Sequence, residues 1–459
     1  MKEREKFSSR LGFILISAGC AVGLGNVWKF PYITGMYGGA AFVVIYLFFL
    51  VALGLPIMVM EFAVGRASQK SAAKSFHVLE PKGTKWHLYG YGAMLGNYVL
   101  MMFYTTVGGW MLDYAVKMIK GEFVDLNTEA VGAKFVAMLQ NPVEQTIYML
   151  IVVISSFLVC SLGLKNGVEK ITKIMMTSLF AIMIVLIIRS VTLPGAKEGL
   201  TFYLVPDFHK MAENGIGEAI FAAMGQSFFT LSLGIGAMAI FGSYIDKERT
   251  LAGEALNVGI LDTLVAVMAG LIIFPACFAF DVAPDSGPGL VFITLPNVFN
   301  QMTGGRIWGC LFFVFLSFAA LSTVIAVFQN IIAFAQDLWG WSIKKAVLVN
   351  GIAIIILSIP CILGFNVWSD FQPLGSGTNI QDLEDFVVSN TLLPLGSLVY
   401  LLFCVSRYGW GFDRFIDEAN TGKGIKFPVH KVVRFYVTFI LPLIILGIFI
   451  QGYVAKFFG

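Results

Sequence analysis

Asp262 is the residue whose surroundings most demand an explanation. It interrupts the apolar run Val258–Phe274. A carboxylate deep in a bilayer costs about 2.5–3.5 kcal/mol on insertion scales, so a partner is expected unless the residue lies near the interface. Two further segments have the composition of a backbone that binds ions. One reads Ser17-Ala18-Gly19-Cys20-Ala21-Val22-Gly23-Leu24-Gly25-Asn26, the other Gln226-Ser227-Phe228-Phe229-Thr230-Leu231-Ser232-Leu233-Gly234-Ile235-Gly236-Ala237. Each holds a G-x-G among small or polar residues. Glycine is the poorest helix former after proline, so two in three residues mark a break. Taken singly, a G-x-G can also be a close-packing motif between helices. Here Gly23/Gly25 and Gly234/Gly236 stand 211 residues apart, each in the first helix of a possible five-helix unit. That is the pattern of an inverted repeat with paired discontinuous helices. Its freed backbone groups bind ions and substrate near the midplane.

The elements that must carry these segments follow from composition. Of 459 residues, 58% are hydrophobic and 13% charged, and mean hydropathy is +0.81. A soluble domain has nearly a quarter of its residues charged, so a soluble multidomain enzyme is excluded. Apolar runs such as Ala41–Val59, Ile147–Val159, Ile174–Ile188 and Tyr436–Ile450 approach the length that crosses a bilayer as a helix. Eleven spans are expected, near 11–34, 40–64, 87–117, 146–163, 167–191, 217–243, 253–280, 306–340, 344–365, 384–406 and 430–456. With the N-terminus inside, 22 of the 31 basic residues fall on inner segments and eight on outer ones. The positive-inside rule then puts the N-terminus in the cytoplasm and the C-terminus outside. Residues 1–10 read as a retained cytoplasmic tail.

A net charge of +3 gives no argument for nucleic acid. The six cysteines are scattered without a C-x-x-C, and read as small buried hydrophobes. The four histidines (His77, His87, His209, His430) share no metal spacing. There is no H-E-x-x-H and no pair of intramembrane aspartates, which argues against an intramembrane enzyme.

Arg10-Leu11-Gly12, the run Gly19–Pro31, the segment Gln226–Gly236 and the loop Ser286-Gly287-Pro288-Gly289-Leu290 together resemble the neurotransmitter:sodium symporter family. The resemblance covers nearly the whole chain and points to the bacterial amino-acid branch with eleven helices. It implies one transporter domain over 1–459: repeats at 11–191 and 217–406, helices 1 and 6 broken, and an extra helix at 430–456. It also implies two sodium sites. The first comprises Ala21, Asn26, Thr230 and Asp262, completed by the substrate carboxylate. The second comprises Gly19, Val22, Ala319, Ser322 and Thr323. Back-bonding of Ser322 and Thr323 to their own helix is the alternative. The implied substrate pocket is Cys20, Ala21, Leu24, Gly25, Leu100, Tyr104, Phe229, Thr230, Ser232, Ile235, Thr323 and Val327. In it, Tyr104 and the amides around Leu24 and Gly25 would bind a carboxylate, and Phe229 would act as a lid.

Several positions depart from the family. Lys29 stands where relatives carry Arg, opposite Asp385 as the outer gate; Arg4 and Asp337 match the inner one. Lysine keeps the charge but loses the bidentate fork. Asp262 replaces a usual Asn, and Ala266 stands where a relative has Glu. Asp262 would thus supply the negative charge that chloride supplies elsewhere. Glu61 matches a carboxylate that supports the broken helices. A Gly-x9-Pro pattern lets the inner end of helix 5 unwind in many relatives; here Gly167 is present but Thr177 replaces the proline.

The expected function is sodium-coupled symport, with two Na+, of hydrophobic or aromatic L-amino acids across the cytoplasmic membrane by alternating access, without chloride. A zwitterion is expected because Gly23 stands where monoamine-transporting relatives carry Asp and the pocket list holds no acid for a basic side chain; tyrosine is the first expectation, because the small Cys20, and Ile235 where a relative has an aromatic ring, leave room for a ring. The partners are the amino-acid substrate and the lipid bilayer; no feature bears on oligomeric state. A proton-coupled transporter of the same architecture is the alternative, with an ion channel or intramembrane enzyme behind it.

Overall fold

The structure is a computed structural model that describes residues 6–213, 215–282 and 289–458. Arg4 and the loop residues Ser286–Pro288 lie outside the described residues. A chain this apolar must satisfy its backbone within each segment, because lipid offers no hydrogen-bond partners. Accordingly it is helical throughout, and no strand forms among the described residues beyond an isolated Arg249–Lys423 bridge.

The principal helices are α1 (Arg10–Ala21), α2 (Gly25–Met36), α3 (Ala40–Ser68), α4 (Tyr89–Lys120), α5 (Pro142–Ser161) and α6 (Leu164–Val191). They continue with α7 (Ile216–Thr230), α8 (Ala237–Gly242), α9 (Leu251–Ala279), α10 (Gly305–Trp339), α11 (Ile343–Leu363), α12 (Ile380–Val405) and α13 (Lys431–Phe457). Among the described residues, eight helices are long and apolar enough to cross a membrane on their own, and α1 with α2, bent by 57°, makes a ninth. The other two expected spans correspond to α4 and to the interrupted pair α7–α8.

Local chemistry sets several ends. Asn141 caps α5 by accepting from the Glu144 amide at 3.2 Å, with Pro142 as the first helical residue. Gly121 ends α4 in the left-handed conformation. Asn379 and Asp382 form a reciprocal capping box that starts α12 four residues before the expected boundary.

Burial separates centre from rim. The most apolar window of α10 is 78% buried, that of α13 only 17%. α10 packs against α1, α4 and α6, while α13 lies mainly on α12, touches α7, bonds α3 through Tyr436 and the Ala52 carbonyl, and turns Val432, Phe439 and Leu443 outward. Such outward apolar side chains, with Phe48, Leu158 and Ile356 elsewhere, suit a lipid environment rather than water. The cysteines are all free, and five of the six are buried, as expected of small hydrophobes.

Candidate functional site

The first break falls where α1 meets its glycines. Val22 leaves the helix at φ −65°, ψ 103°, and helical geometry resumes at Gly25. The amides freed there find side chains. Gly23 N–H donates to Asn26 Oδ1 at 3.1 Å, and Leu24 N–H donates to the Tyr104 hydroxyl at 3.0 Å. Gly23 is required by close approach. A Cβ there would collide with the Tyr104 hydroxyl and stand 2.8 Å from Thr323 Oγ1. Tyr104 and Thr323 thus leave no room for a side chain at this position.

The second break separates α7 from α8. Ser232, Gly234 and Gly236 all have positive φ (50°, 96° and 75°), a conformation that glycine adopts without steric cost at the last two and that Ser232 holds as a non-glycine residue. Each freed group is again met. Gly234 N–H donates to the buried Glu61 carboxylate at 2.5 Å, the role expected of Glu61. The Gly234 carbonyl accepts from the Tyr89 hydroxyl, and the Ile235 carbonyl from Asn97 Nδ2 at 2.8 Å. Gln226 Nε2 ties the two breaks together by donating to the Gly25 carbonyl at 3.0 Å. Tyr89, Asn97 and Gln226 were not singled out from sequence. Polar side chains at 97 and 226 within apolar helices were the available signal.

Two oxygen-rich clusters flank the first break. In one, Asn26 Nδ2 donates to Asp262 Oδ1 at 2.8 Å and to Thr230 Oγ1 at 3.2 Å, and Thr230 donates to Asp262 Oδ2 at 2.8 Å. Asp262 is fully buried, and no basic side chain pairs with it among the described residues. In the other, Thr323 Oγ1 lies 3.2 Å from the Gly19 carbonyl, 3.0 Å from that of Val22 and 3.4 Å from that of Ala319. Ser322 Oγ lies 3.1 Å from Gly19 O and 2.9 Å from Ala319 O. The alternative of pure back-bonding is thus incomplete: both hydroxyls bond their own helix and α1 as well. All five oxygens are neutral and buried. Both sets are hard oxygen donors suited to an alkali cation.

Between the clusters lies a cavity of about 20 Å³, room for about one water. Cys20, Ala21, Leu24, Gly25, Leu100, Tyr104, Phe229, Ser232, Ile235 and Thr323 line it as expected, joined by Gly23, Val388 and Leu393. Thr230 turns to Asp262 instead, and Val327 is buried outside the lining. Val388 and Leu393 come from α12, where apolar residues in an apolar helix gave no signal. Phe229 packs against Gly25, where a Cβ would stand 2.8 Å from its ring. A cavity of this volume is smaller than an aromatic ring, so a ring-bearing ligand requires its walls to move.

The outer gate differs from expectation. Lys29 makes no ion pair with Asp385 among the described residues. Its Nζ sits 4.0 Å from the centroid of the Phe229 ring, a cation–π contact, while Asp385 accepts from Ser389 at 2.8 Å. Near the C-terminal end of α10, Asp337 accepts from the Ser71 amide at 2.7 Å and lies 3.6 Å from Lys70 Nζ; its expected partner Arg4 is outside the described residues. The N-terminal end of α6 is wound as a π-helical turn over Leu164–Glu169. Glu169 there accepts from Ser8 N at 2.8 Å and from Lys173 Nζ at 2.7 Å, tying the N-terminal segment to α6.

Comparison with known proteins agrees with this geometry. The family model described as "Sodium:neurotransmitter symporter family" matches residues 4–129 and 133–457. A sodium-dependent transporter of Bacillus subtilis, YhdH, is 35% identical, the alignment covering 97% of each chain. A sodium-dependent transporter of Haemophilus influenzae is 35% identical over 98% of each. Among solved structures, MhsT in complex with L-phenylalanine is 38% identical with a TM-score of 0.86, over 98% of this chain and 100% of that one. With its unsplit helical body, paired helix breaks and near-complete match, the chain belongs to the sodium:neurotransmitter symporter family and is a multi-pass membrane transporter, not an enzyme.

Proposed function

We propose that this transporter couples two sodium ions to the uptake of a zwitterionic L-amino acid with a large apolar or aromatic side chain, independently of chloride. The observation that carries the reading is the convergence of two buried oxygen clusters on a single helix break beside an apolar pocket. One sodium ion is held by Asn26, Thr230, Asp262 and the Ala21 carbonyl, and shares the substrate carboxylate. The other is held by the Gly19, Val22 and Ala319 carbonyls with Ser322 and Thr323. Asp262 supplies the charge that makes an external anion unnecessary.

The pocket walls Leu24, Leu100, Ile235 and Val388 favour an apolar side chain. The Leu24 amide and Tyr104 hydroxyl, bonded to each other at 3.0 Å, are the groups that a substrate carboxylate engages. The L-phenylalanine in the MhsT complex supports an aromatic substrate, with tyrosine the first candidate. Each sodium ion entering down 100 mV contributes about 2.3 kcal/mol before its concentration gradient. Two such ions support on the order of a thousand-fold accumulation.

The chain spans the cytoplasmic membrane eleven times, N-terminus inside and C-terminus outside, as two inverted repeats of five helices followed by α13. Rocking of one helix bundle against the other alternates access to the midplane. Uptake of a labelled amino-acid panel into proteoliposomes tests the reading. Uptake of tyrosine or phenylalanine is expected with sodium, lost in choline and unaffected when gluconate replaces chloride. Uptake that persists in choline refutes sodium coupling. Competition by tyramine as strong as by tyrosine refutes recognition of the carboxylate.

A further inference from the structure

Away from the midplane, the chain after α3 forms the short helix Ala72–Leu79 and returns through the turn Trp86–Leu88 to the start of α4. Three side chains meet between these elements, although the histidines show no metal spacing in sequence. His77 Nδ1 lies 3.4 Å, and His87 Nδ1 2.6 Å, from the same oxygen, Glu80 Oε1. The ligand-capable atoms of all three residues lie within 4.8 Å of one another. The second carboxylate oxygen accepts from the His87 amide at 3.1 Å and the Thr84 hydroxyl at 3.3 Å, so Glu80 is oriented by its own loop. The His77 side chain is 66% exposed, which leaves a path for a cation from solvent.

Two imidazole nitrogens and one carboxylate oxygen are a borderline donor set. It suits zinc and its d-block neighbours, and is poor for magnesium or calcium, which take all-oxygen ligands. Tetrahedral zinc with bonds of about 2.0–2.1 Å sets its ligand atoms roughly 3.3 Å apart, so the His77–Glu80 pair at 3.4 Å already fits and the His87–Glu80 pair at 2.6 Å must open around an ion.

We propose that His77, Glu80 and His87 bind one divalent transition cation of the zinc class, with water in the fourth position, and that the bound ion slows transport. The second half rests on the sodium-symport reading; the first does not. The reason for slowing is the position of the clamp. His77 follows Phe76, and His87 precedes Tyr89 by two residues. The Phe76 and Tyr89 rings meet edge to face at 5.5 Å, and the Tyr89 hydroxyl holds the Gly234 carbonyl in the break between α7 and α8. Ala72, at the start of the same short helix, fills the space a Cβ on Gly236 would need. An ion joining His77 to His87 therefore staples the two supports of that break to each other.

The test uses the purified full-length protein and zinc ion alone, with binding measured by titration calorimetry and uptake in proteoliposomes. One zinc per chain is expected. His77→Ala and His87→Ala should each weaken it at least about tenfold, while His209→Ala leaves it unchanged. Glu80→Gln keeps the loop's hydrogen-bonding shape and should also weaken zinc binding, which separates ligation from a loop-closing role. Zinc should lower sodium-driven uptake several-fold in the parent protein and not in His77→Ala, with chelator restoring it. Zinc binding absent from the parent, or intact in both histidine variants, overturns the site. Binding without any effect on uptake overturns the clamp. Failure of zinc-free uptake to need sodium would instead refute the symport reading and leave the calorimetric result standing.

Discussion

The two oxygen clusters share one helix break but are built on different physics. The cluster around Asp262 joins α2, α7 and α9 and contains a formal negative charge held by an amide and a hydroxyl. The cluster around Thr323 joins α1 to α10 through five neutral oxygens. Opposite unit charges 4 Å apart at an effective dielectric constant of 20 attract by about 4 kcal/mol. A single hydrogen-bonding oxygen contributes about 1 kcal/mol net. The first cluster therefore depends on one atom group, and the second on the joint geometry of two helices. Loss of a residue in the first is an electrostatic injury. Loss of one in the second is a partial loosening of α1 from α10.

The substitution with the largest expected effect strikes the break that the two clusters share. Gly23→Ala puts a Cβ into the Tyr104 hydroxyl and 2.8 Å from Thr323 Oγ1, so sodium-driven uptake should vanish. Stabilisation of the purified protein by sodium should fall with it; normal uptake by this variant would show that the break is looser than described. Gly23→Asp should fail equally, and so cannot by itself report on charge.

Next comes Asp262→Asn, which makes the first cluster neutral like the second. Apparent sodium affinity, read from uptake against sodium concentration, should drop by roughly a hundredfold, and added chloride should restore part of it. A smaller effect is expected of Thr323→Val. That change removes the hydroxyl shared among three carbonyls and should weaken sodium affinity about tenfold, with no response to chloride. A chloride response in this variant would erase the distinction between the clusters. Ser322→Ala removes two contacts and should cost about fivefold in the same assay.

Much of this arrangement was legible in the residue string, for reasons that are local. Glycine pairs break helices wherever they stand, so both interruptions were readable from Gly23/Gly25 and Gly234/Gly236. A buried carboxylate requires partners, so Asp262 announced a site before any neighbour was known. The resemblance then named Asn26, Thr230, Ser322 and Thr323, and the fold brings all four to those carbonyls and that carboxylate. Helix limits were less legible. Asn379 and Asp382 start α12 earlier than hydropathy suggested, because a capping box is a side-chain arrangement that an average over apolar residues dilutes.

The sequence by itself determined that the chain is a bundle of membrane helices with two breaks, since lipid forces each segment to satisfy its own backbone and glycine decides where that fails. Only the tertiary structure decided what meets across helices. It set Lys29 over Phe229 instead of against Asp385, aimed Thr230 at Asp262 and away from the pocket, and gathered His77, Glu80 and His87 from a loop without metal spacing. These pairings depend on the rotation and depth of each helix relative to its neighbours. Those quantities come from packing over the whole bundle, and no run of residues along one helix encodes them.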